Sequence, residues 1–283
     1  MITKKAQKAK KIKTAFDKFD IKHVSVSSTN KFRDATDAWI ASYLYKLRFP
    51  TGYAAIQGSS VEFGVDMGVY NDIDIDTCAE KAFDRFRTST RMMPNQYDEL
   101  KKREPIIHQM VRVALEQLEQ YGKPEAPQYG DRQHKIEIPV RFKDGKNGTV
   151  PVIGYLDYWF PNHNLIIDLK TTSKSPSGWT LGHGIQASIY QRAIEKKIGK
   201  KPQVLFLYCL TRKKDPFVWL EMEEPEDFLN TFRNTVITMH NLLDKFDSKE
   251  EILSVIPHNP DSFYWSDGKH IAANLYGSPS EGS

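Results

Sequence analysis

Two aspartates occupy matching positions on two chain segments that have the residue pattern of neighbouring β-strands. The segments are residues 150–160 and 165–171, and the turn-forming residues 161–164 lie between them. If a four-residue hairpin loop joins the strands, Asp157 lies opposite Asp168. Directly opposed residues have Cβ atoms about 4.5–5.5 Å apart, a distance at which like charges destabilise a strand pair. The pattern therefore calls for a compensating positive charge.

Lys170 is the nearest candidate, because it lies two residues after Asp168 and shares its strand face. Leu165, Ile167 and Leu169 alternate with these polar residues and are expected to face a core. From spacing alone, two interpretations stay open. The three polar residues form either an ion-pair cluster or a site for Mg²⁺ or Mn²⁺, with a lysine that orients or deprotonates a water molecule.

Three short motifs follow one another in the order expected of a known nuclease group. They are Gly154-Tyr155-Leu156-Asp157, Asp168-Leu169-Lys170 and Gln186-Ala187-Ser188-Ile189-Tyr190. This ordered set resembles the G-x-x-D, D-x-K and Q-x-x-x-Y motifs of the RecB-like branch of the PD-(D/E)XK nuclease superfamily. That branch usually has an upstream G-x-x-x-H, and here Gly58 and Glu62 take its place, with Asp66 as a nearby substitute for Glu62.

The resemblance implies a role for each matched residue. Glu62, Asp157, Asp168 and the main-chain carbonyl of Leu169 would bind the metal. Lys170 would position the attacking water, Gln186 would brace the site, and Tyr190 would lie near the nucleic-acid backbone or a base. Without the resemblance, Glu62 and Gln186 would be surface helix residues and Tyr190 a half-buried aromatic.

Four further residues are candidates for contacts with nucleic acid. Lys174, Trp179 and His183 lie between the strand of Asp168 and the helix of Gln186, and loops beside rigid strands often contact substrate. Arg212 begins a basic cluster after an apolar strand. The alternatives are an exposed lysine, a packed tryptophan and a solvated hairpin tip.

The sequence argues against two cofactors. Some relatives hold an iron–sulfur cluster with one early and three late cysteines, but this chain has only Cys78 and Cys209, and neither Ala35 nor residues 259–270 supply a ligand. The resemblance therefore points to cluster-free relatives, such as phage exonucleases or the mitochondrial genome maintenance exonuclease. Two interpretations of the C-terminal segment stay open: apolar packing of Pro257, Phe263, Tyr264 and Trp265 closes the same gap, or the segment is loose. The chain also lacks a G-x-x-x-x-G-K-[ST] loop, so no ATP is expected and any helicase partner is a separate protein.

Composition places the chain among ordinary folded proteins. The 283 residues are 40% hydrophobic and 27% charged, with a net charge of +4. The lysine-rich start of the chain is either a solvated tail or a nucleic-acid contact. No apolar run is long enough for a membrane span, so an intracellular, cytoplasmic protein is expected, in the host cytoplasm if it is phage-encoded.

The elements predict an α/β fold, with a mixed central sheet flanked by helices and a helical region before it. Predicted helices cover residues 31–47, 76–90, 96–121 with a break near Pro105, 181–197 and 226–246, and residues 58–66 form at most a short one. Predicted strands cover residues 135–142, 150–160, 165–171, 203–210 and 217–222. The expected parts are residues 1–22 as a basic tail, 23–130 as a helical region with Glu62 and a DNA passage, 131–256 as a restriction-endonuclease-like nuclease core and 257–283 as a closing segment.

The resulting functional expectation is a Mg²⁺- or Mn²⁺-dependent DNA exonuclease. It would act on single-stranded or end-frayed DNA in replication, recombination or repair, beside a separate helicase or recombination protein. The alternatives are an endonuclease on the same core, a catalytically idle nucleic-acid-binding module and a scaffold subunit with a structural charge cluster. RNA also stays open as a substrate.

Overall fold

The computed structural model describes residues 14–127, 133–141, 148–222 and 226–277. Contacts between Cα atoms divide the chain into two units. The first contains Met1–Arg48, Glu137–Ile153 and Asn230–Ser283, and the second contains Phe49–Ile136 and Gly154–Leu229. The predicted turn at residues 144–148 lies outside the described residues except for Gly148, and most of the predicted basic tail lies outside them as well.

The strands form two sheets. They are β1 (His134–Arg141), β2 (Thr149–Leu156), β3 (Tyr158–Phe160), β4 (Leu165–Thr172), β5 (Gln203–Leu210) and β6 (Phe217–Glu221). β1 and β2 form a two-stranded sheet, and the other four have the order β3-β4-β5-β6. β4 and β5 are parallel, whereas the outer pairs are antiparallel. The predicted α/β class with a mixed sheet is confirmed.

The described residues also form helices. They are α1 (Ala15–Lys18), α2 (Val26–Asp34), α3 (Thr36–Tyr43), α4 (Tyr53–Asn71), α5 (Ile75–Ser89), α6 (Gln96–Glu119), α7 (Leu181–Ile198), α8 (Glu226–Lys245), α9 (Lys249–Val255) and α10 (Lys269–Tyr276). In the second unit, α4, α5 and α6 share one hydrophobic core with β3, β4 and β5. Three helices of the predicted helical region thus pack with strands of the predicted nuclease core. α7 makes the crossover between the parallel strands β4 and β5, as βαβ units require.

The glycine-rich segment before residue 70 is a long helix, so the expectation of at most a short one was wrong. Its glycines mark close packing: a Cβ on Gly64 would lie 2.7 Å from the carbonyl oxygen of Cys78, and a Cβ on Gly68 would lie 2.6 Å from Leu115. A Cβ on Gly58 would lie 3.0 Å from the Thr171 hydroxyl. Tertiary packing therefore outweighs the low helix propensity of glycine in α4.

Two further helix predictions need correction. The helix predicted over residues 31–47 is broken at Ala35, where the Thr36 hydroxyl donates a 2.7 Å hydrogen bond to the Phe32 carbonyl and helps satisfy the chain at the break. In contrast, α6 runs through Pro105 without a break. Pro105 is exposed, so water can satisfy the carbonyl that a proline leaves without its usual donor.

The second predicted strand is also interrupted. Asp157 is a bend between β2 and β3, so residues 150–160 form two strands rather than one. The bend frees the backbone of Asp157 from the ladder and turns its carboxylate toward the main chain of β4, where the Leu169 N–H donates to it. The interruption therefore lies at a predicted site residue.

A buried carboxylate anchors the closing segment of the chain, within the first unit. Asp37 Oδ2 accepts hydrogen bonds from the main-chain N–H of Asn259 at 2.9 Å and from Trp265 Nε1 at 2.8 Å, and it lies 2.8 Å from His258 Nδ1. Of the expected apolar clamp, Phe263 is 83% exposed, whereas Trp265 is buried and packs edge-on against His258 and Tyr276. Donors converging on one carboxylate, together with this ring packing, fasten the segment.

Within the described residues, no helix combines the length and the apolar character needed to cross a bilayer.

Candidate active site

The hairpin between β3 and β4 has the register expected from the sequence. Tyr158 pairs with Ile167, which places Asp157 and Asp168 at the next opposed position. Both carboxylates are buried, with 9% and 1% exposure. Leu169 N–H donates a 2.8 Å hydrogen bond to Asp157 Oδ2, so the backbone of β4 fixes the orientation of this carboxylate.

Helix α4 brings Glu62 to the same place. Gln133 Nε2 lies 2.6 Å from Glu62 Oε1 and 2.7 Å from Asp157 Oδ1, and donates a hydrogen bond to each. Asp66, the alternative to Glu62, instead accepts a 3.0 Å hydrogen bond from the Tyr158 hydroxyl. The geometry therefore favours Glu62 over Asp66 as the third carboxylate of the site.

Gln133 itself has no counterpart in the sequence analysis. It lies in the residue before β1, 24 positions from Asp157, and it belongs to none of the three motifs. A single glutamine ahead of a strand carries no periodicity or spacing signal. Only the fold could bring it to the carboxylates.

The charges of the site are incompletely balanced. Burial raises the pKa of Asp157 well above its usual range, and the neighbouring Asp168 and Glu62 carboxylates raise it further, against the opposing effect of Lys170. Burial also raises the pKa of Asp168, again against Lys170. One lysine is therefore set against three carboxylates, two of them buried.

Lys170 forms an ion pair with Asp168 on the strand face that the two residues share. Its ammonium contacts Asp168 Oδ2 and lies 5.3 Å from the centre of the Phe206 ring. Burial lowers the pKa of Lys170, but the Asp168 and Asp157 carboxylates outweigh burial, so the net shift is upward. The lysine is positively charged at neutral pH and neutralises the buried pair in part.

Gln186 and Tyr190 form a hydrogen-bonded brace on α7. Gln186 Nε2 donates to Asp168 Oδ1 at 2.8 Å and to the Tyr190 hydroxyl at 2.9 Å. A Cβ on Gly154 would lie 3.0 Å from Tyr190 Cε1, so the glycine of the G-x-x-D motif makes room for the tyrosine ring. Residues of two motifs thus act together: Gln186 and Tyr190 hold Asp168, and Gly154 leaves room for the tyrosine ring.

Tyr190 is buried, with only 5% of the residue exposed. Stacking on a base needs an exposed ring face, so Tyr190 is placed to support Gln186 rather than to stack on nucleic acid.

The other expected nucleic-acid contacts lie in different environments. Lys174 and Arg212 are exposed, whereas Trp179 packs edge-on against Phe206, with the ring centres 4.9 Å apart. His183 Nδ1 lies 2.6 Å from the Tyr208 hydroxyl, and burial together with Lys170 lowers the pKa of His183 to about 4. The histidine is therefore neutral at pH 7 and offers a phosphate no positive charge.

The donor atoms fit a hard divalent cation. Carboxylate oxygens are the preferred ligands of Mg²⁺ and Mn²⁺, and Glu62, Asp157 and Asp168 supply them. Asp168 Oδ2 is buried and, in the part of the chain that the structure describes, completes no hydrogen bond of ordinary geometry, although the Lys170 ammonium lies against it. Among the described residues, no three His, Cys, Asp or Glu side chains stand as a ready metal cluster, and the Gln133 amide lies between two of the carboxylates.

Comparison with known families decides the class of the protein. The family model of the PD-(D/E)XK nuclease superfamily matches residues 23–257. The chain belongs to the PD-(D/E)XK nuclease superfamily. Members of this superfamily generally use divalent metal ions, in agreement with the donor atoms of the site. A search of curated proteins found no match to this nuclease.

Two solved structures are similar to this nuclease. One is a protein from Eubacterium rectale described as a "Putative exonuclease", with a TM-score of 0.54, 14% identity and a match over 87% of each chain. The other is SSO0001, with a TM-score of 0.35 and 14% identity over 65% of this chain and 85% of that chain. At 14% identity, the similarity to the first structure shows a shared fold alone. The TM-score of the second structure is too low to show a shared fold.

Proposed function

We propose that this nuclease is a Mg²⁺- or Mn²⁺-dependent DNA exonuclease of the RecB-like branch. The observation that carries the proposal is the opposition of Asp157 and Asp168, both buried, with Lys170 on the same strand face. Two neighbouring buried carboxylates destabilise the folded protein when no cation neutralises them. A site that keeps two such carboxylates together is suited to bind a cation.

Each residue has a distinct part in the proposed reaction. Glu62, Asp157, Asp168 and the Leu169 carbonyl would hold the cation, which when bound polarises the scissile phosphate and neutralises its developing charge. Lys170 positions the attacking water through its ammonium group, because its raised pKa keeps it protonated at neutral pH. A protonated lysine orients water rather than removing its proton.

Gln186 and Tyr190 act through Asp168 rather than on the substrate. The Gln186 amide hydrogen bonds fix one Asp168 oxygen, Oδ1, and leave Oδ2 to Lys170 and the cation. Preorganised donors of this kind lower the cost of arranging charge during a reaction. The brace explains why a glutamine and a tyrosine four residues apart on α7 belong to the site.

The substrate is proposed to be DNA with a free end, single-stranded or frayed. The exposed Lys174 and Arg212 would contact DNA phosphates. The half-buried Trp179 would contact the DNA strand, and His183 would contact it with a neutral ring. The cluster-free phage-type or mitochondrial genome maintenance-type relatives guide this choice. Work beside a separate helicase or recombination protein, in the cytoplasm, belongs to the same proposal.

Digestion of labelled DNA tests the substrate. Linear single-stranded DNA with 5′ or 3′ labels, linear duplex and a covalently closed single-stranded circle of the same sequence are incubated with Mg²⁺. The proposal predicts that the linear forms are degraded and the circle survives. Equal degradation of circle and linear strand would make the protein an endonuclease on the same core, and binding without cleavage of either would make it an idle binding module.

A further inference from the structure

Gln133 stands in a position that a neutral side chain would not ordinarily occupy. Its amide nitrogen donates hydrogen bonds to two carboxylates of different elements, Glu62 on α4 and Asp157 before β3, at 2.6 and 2.7 Å. Both acceptors are proposed cation ligands. The amide is therefore placed where a positive charge would be expected.

The orientation of the amide follows from its neighbours. The oxygen end of the amide, set in the same place, would face two carboxylate oxygens and be repelled by both. The nitrogen end carries two N–H donors, one for each carboxylate. Hydrogen bonds to carboxylates are about twice as strong as those between neutral groups, so this arrangement stabilises the metal-free site.

We propose that Gln133 is a placeholder that competes with the divalent cation: its amide nitrogen bridges Glu62 and Asp157 in the metal-free protein and must leave when the cation binds. This inference rests on the proposed function of the same carboxylates. Gln133 lies just before β1 and is half-buried, so the strand fixes its main chain while its side chain can turn outward.

The Gln133 hydrogen bonds have opposite effects on the stability of the metal-free protein and on its affinity for the cation. Two hydrogen bonds stabilise the metal-free protein, and their loss on cation binding reduces the affinity by the same free energy. Removing the amide therefore lowers the stability of the metal-free protein and increases its affinity for the cation. A residue that served as a metal ligand would have the opposite effect on affinity.

Two variants separate these cases, measured as Mn²⁺ affinity by electron paramagnetic resonance and as thermal unfolding in EDTA. Gln133→Met keeps the length of the side chain and removes both donors. It should lower the melting temperature in EDTA and lower the Mn²⁺ Kd by roughly fivefold to a hundredfold, the range expected for two net hydrogen bonds. Gln133→Lys places an ammonium between the carboxylates, and should raise the melting temperature in EDTA and abolish Mn²⁺ binding.

Gln120→Met is the matched control, because Gln120 is exposed at the end of α6. It should change neither quantity. A Kd for Gln133→Met that equals or exceeds that of the parent would overturn the placeholder role. If the parent binds Mn²⁺ and Asp157→Asn does not, the metal site stands whatever Gln133 does, so failure of this inference is distinct from failure of the proposed function. Absence of Mn²⁺ binding in the parent and in Gln133→Met alike would overturn both.

Discussion

At the residue scale, Asp157 contributes to the pH dependence of the stability of the metal-free protein. Its pKa is raised in the folded state, so the folded protein holds this proton more tightly than the unfolded chain does. The free energy of unfolding therefore falls as pH rises from about 4, the ordinary pKa of aspartate, through the raised value, and the penalty is complete above it.

Asp157→Asn should remove this penalty. In EDTA, the melting temperature of the variant relative to the parent should increase with pH across that window and then level off. With saturating Mn²⁺ the order should reverse, because only the parent gains the cation. A difference in melting temperature that does not change with pH in EDTA would show that Asp157 is not destabilised by its neighbours.

Lys170 is expected to behave differently from the aspartates, since it is the counter-ion of a buried pair. Lys170→Met should lower cleavage by about 10²-fold or more and destabilise the metal-free protein by about 3 kcal/mol, the cost of leaving a buried charge uncompensated. Thermal unfolding and initial cleavage rates measure the two effects. Lys174→Met, at an exposed lysine four residues on, is the control for stability. A stable but inactive Lys170→Met would mean that the carboxylates are neutral without the lysine.

The residues predicted from sequence alone are those whose positions depend on local geometry. Asp157 and Asp168 follow from a hairpin register, and Lys170 from the two-residue period of a strand. The brace of Gln186 and Tyr190 follows from the four-residue period of a helix together with the family resemblance. Gln133 could not be predicted, because its partners are 71 and 24 positions away and no repeating pattern connects them.

At the element scale, α4 shows how packing reverses a local prediction. Its glycines indicated an interrupted helix, yet Gly64 and Gly68 lie against α5 and α6, where a side chain would collide. Intrinsic propensity counts for a few tenths to about 1 kcal/mol per residue, less than the burial that a close helix contact provides. The same contacts set the position of Glu62.

Gly64→Ala tests this explanation. Although alanine is the better helix former, its Cβ would lie 2.7 Å from the Cys78 carbonyl oxygen and 2.8 Å from Ala82 Cβ. The variant should lose about 1–3 kcal/mol of stability in urea unfolding, as overpacked cores do. Ser59→Ala, at an exposed position of the same helix, should stay within about 0.5 kcal/mol of the parent. A Gly64→Ala variant as stable as the parent would mean that α4 and α5 are less closely packed.

At the scale of the whole molecule, the fold class was predictable, because strand and helix order indicates an α/β fold. In the second unit, three helices of the predicted helical region, α4, α5 and α6, share one hydrophobic core with strands of the predicted nuclease core. The anchoring of the closing segment on Asp37 was missed, because an aspartate at 37 and donors beyond 257 are joined only by tertiary structure.

Binding of DNA should depend on ion pairs between basic side chains and phosphates, and its affinity should therefore fall with salt. In Asp168→Asn, which is expected to bind DNA and to cleave it only slowly, the affinity for linear single-stranded DNA should fall roughly tenfold or more between 50 and 200 mM salt. Lys174→Gln and Arg212→Gln should each reduce the slope of log affinity against log salt by about 0.7, the value for one phosphate contact on a single strand. Lys196→Gln, on the last turn of α7, should leave it unchanged. An unchanged slope in Lys174→Gln or Arg212→Gln would remove that residue from the DNA interface.

The most direct test of the central claim is a Mg²⁺ titration of cleavage of labelled linear DNA by the parent, Asp157→Asn and Asp168→Asn. Parent cleavage should rise with Mg²⁺ to saturation and stop on addition of excess EDTA. In both variants, which should stay folded, the cleavage rate should be lower by about 10²-fold or more at every Mg²⁺ concentration. Cleavage that persists in excess EDTA, or a variant that cleaves at close to the parent rate, would contradict the assignment of these aspartates to a catalytic metal site.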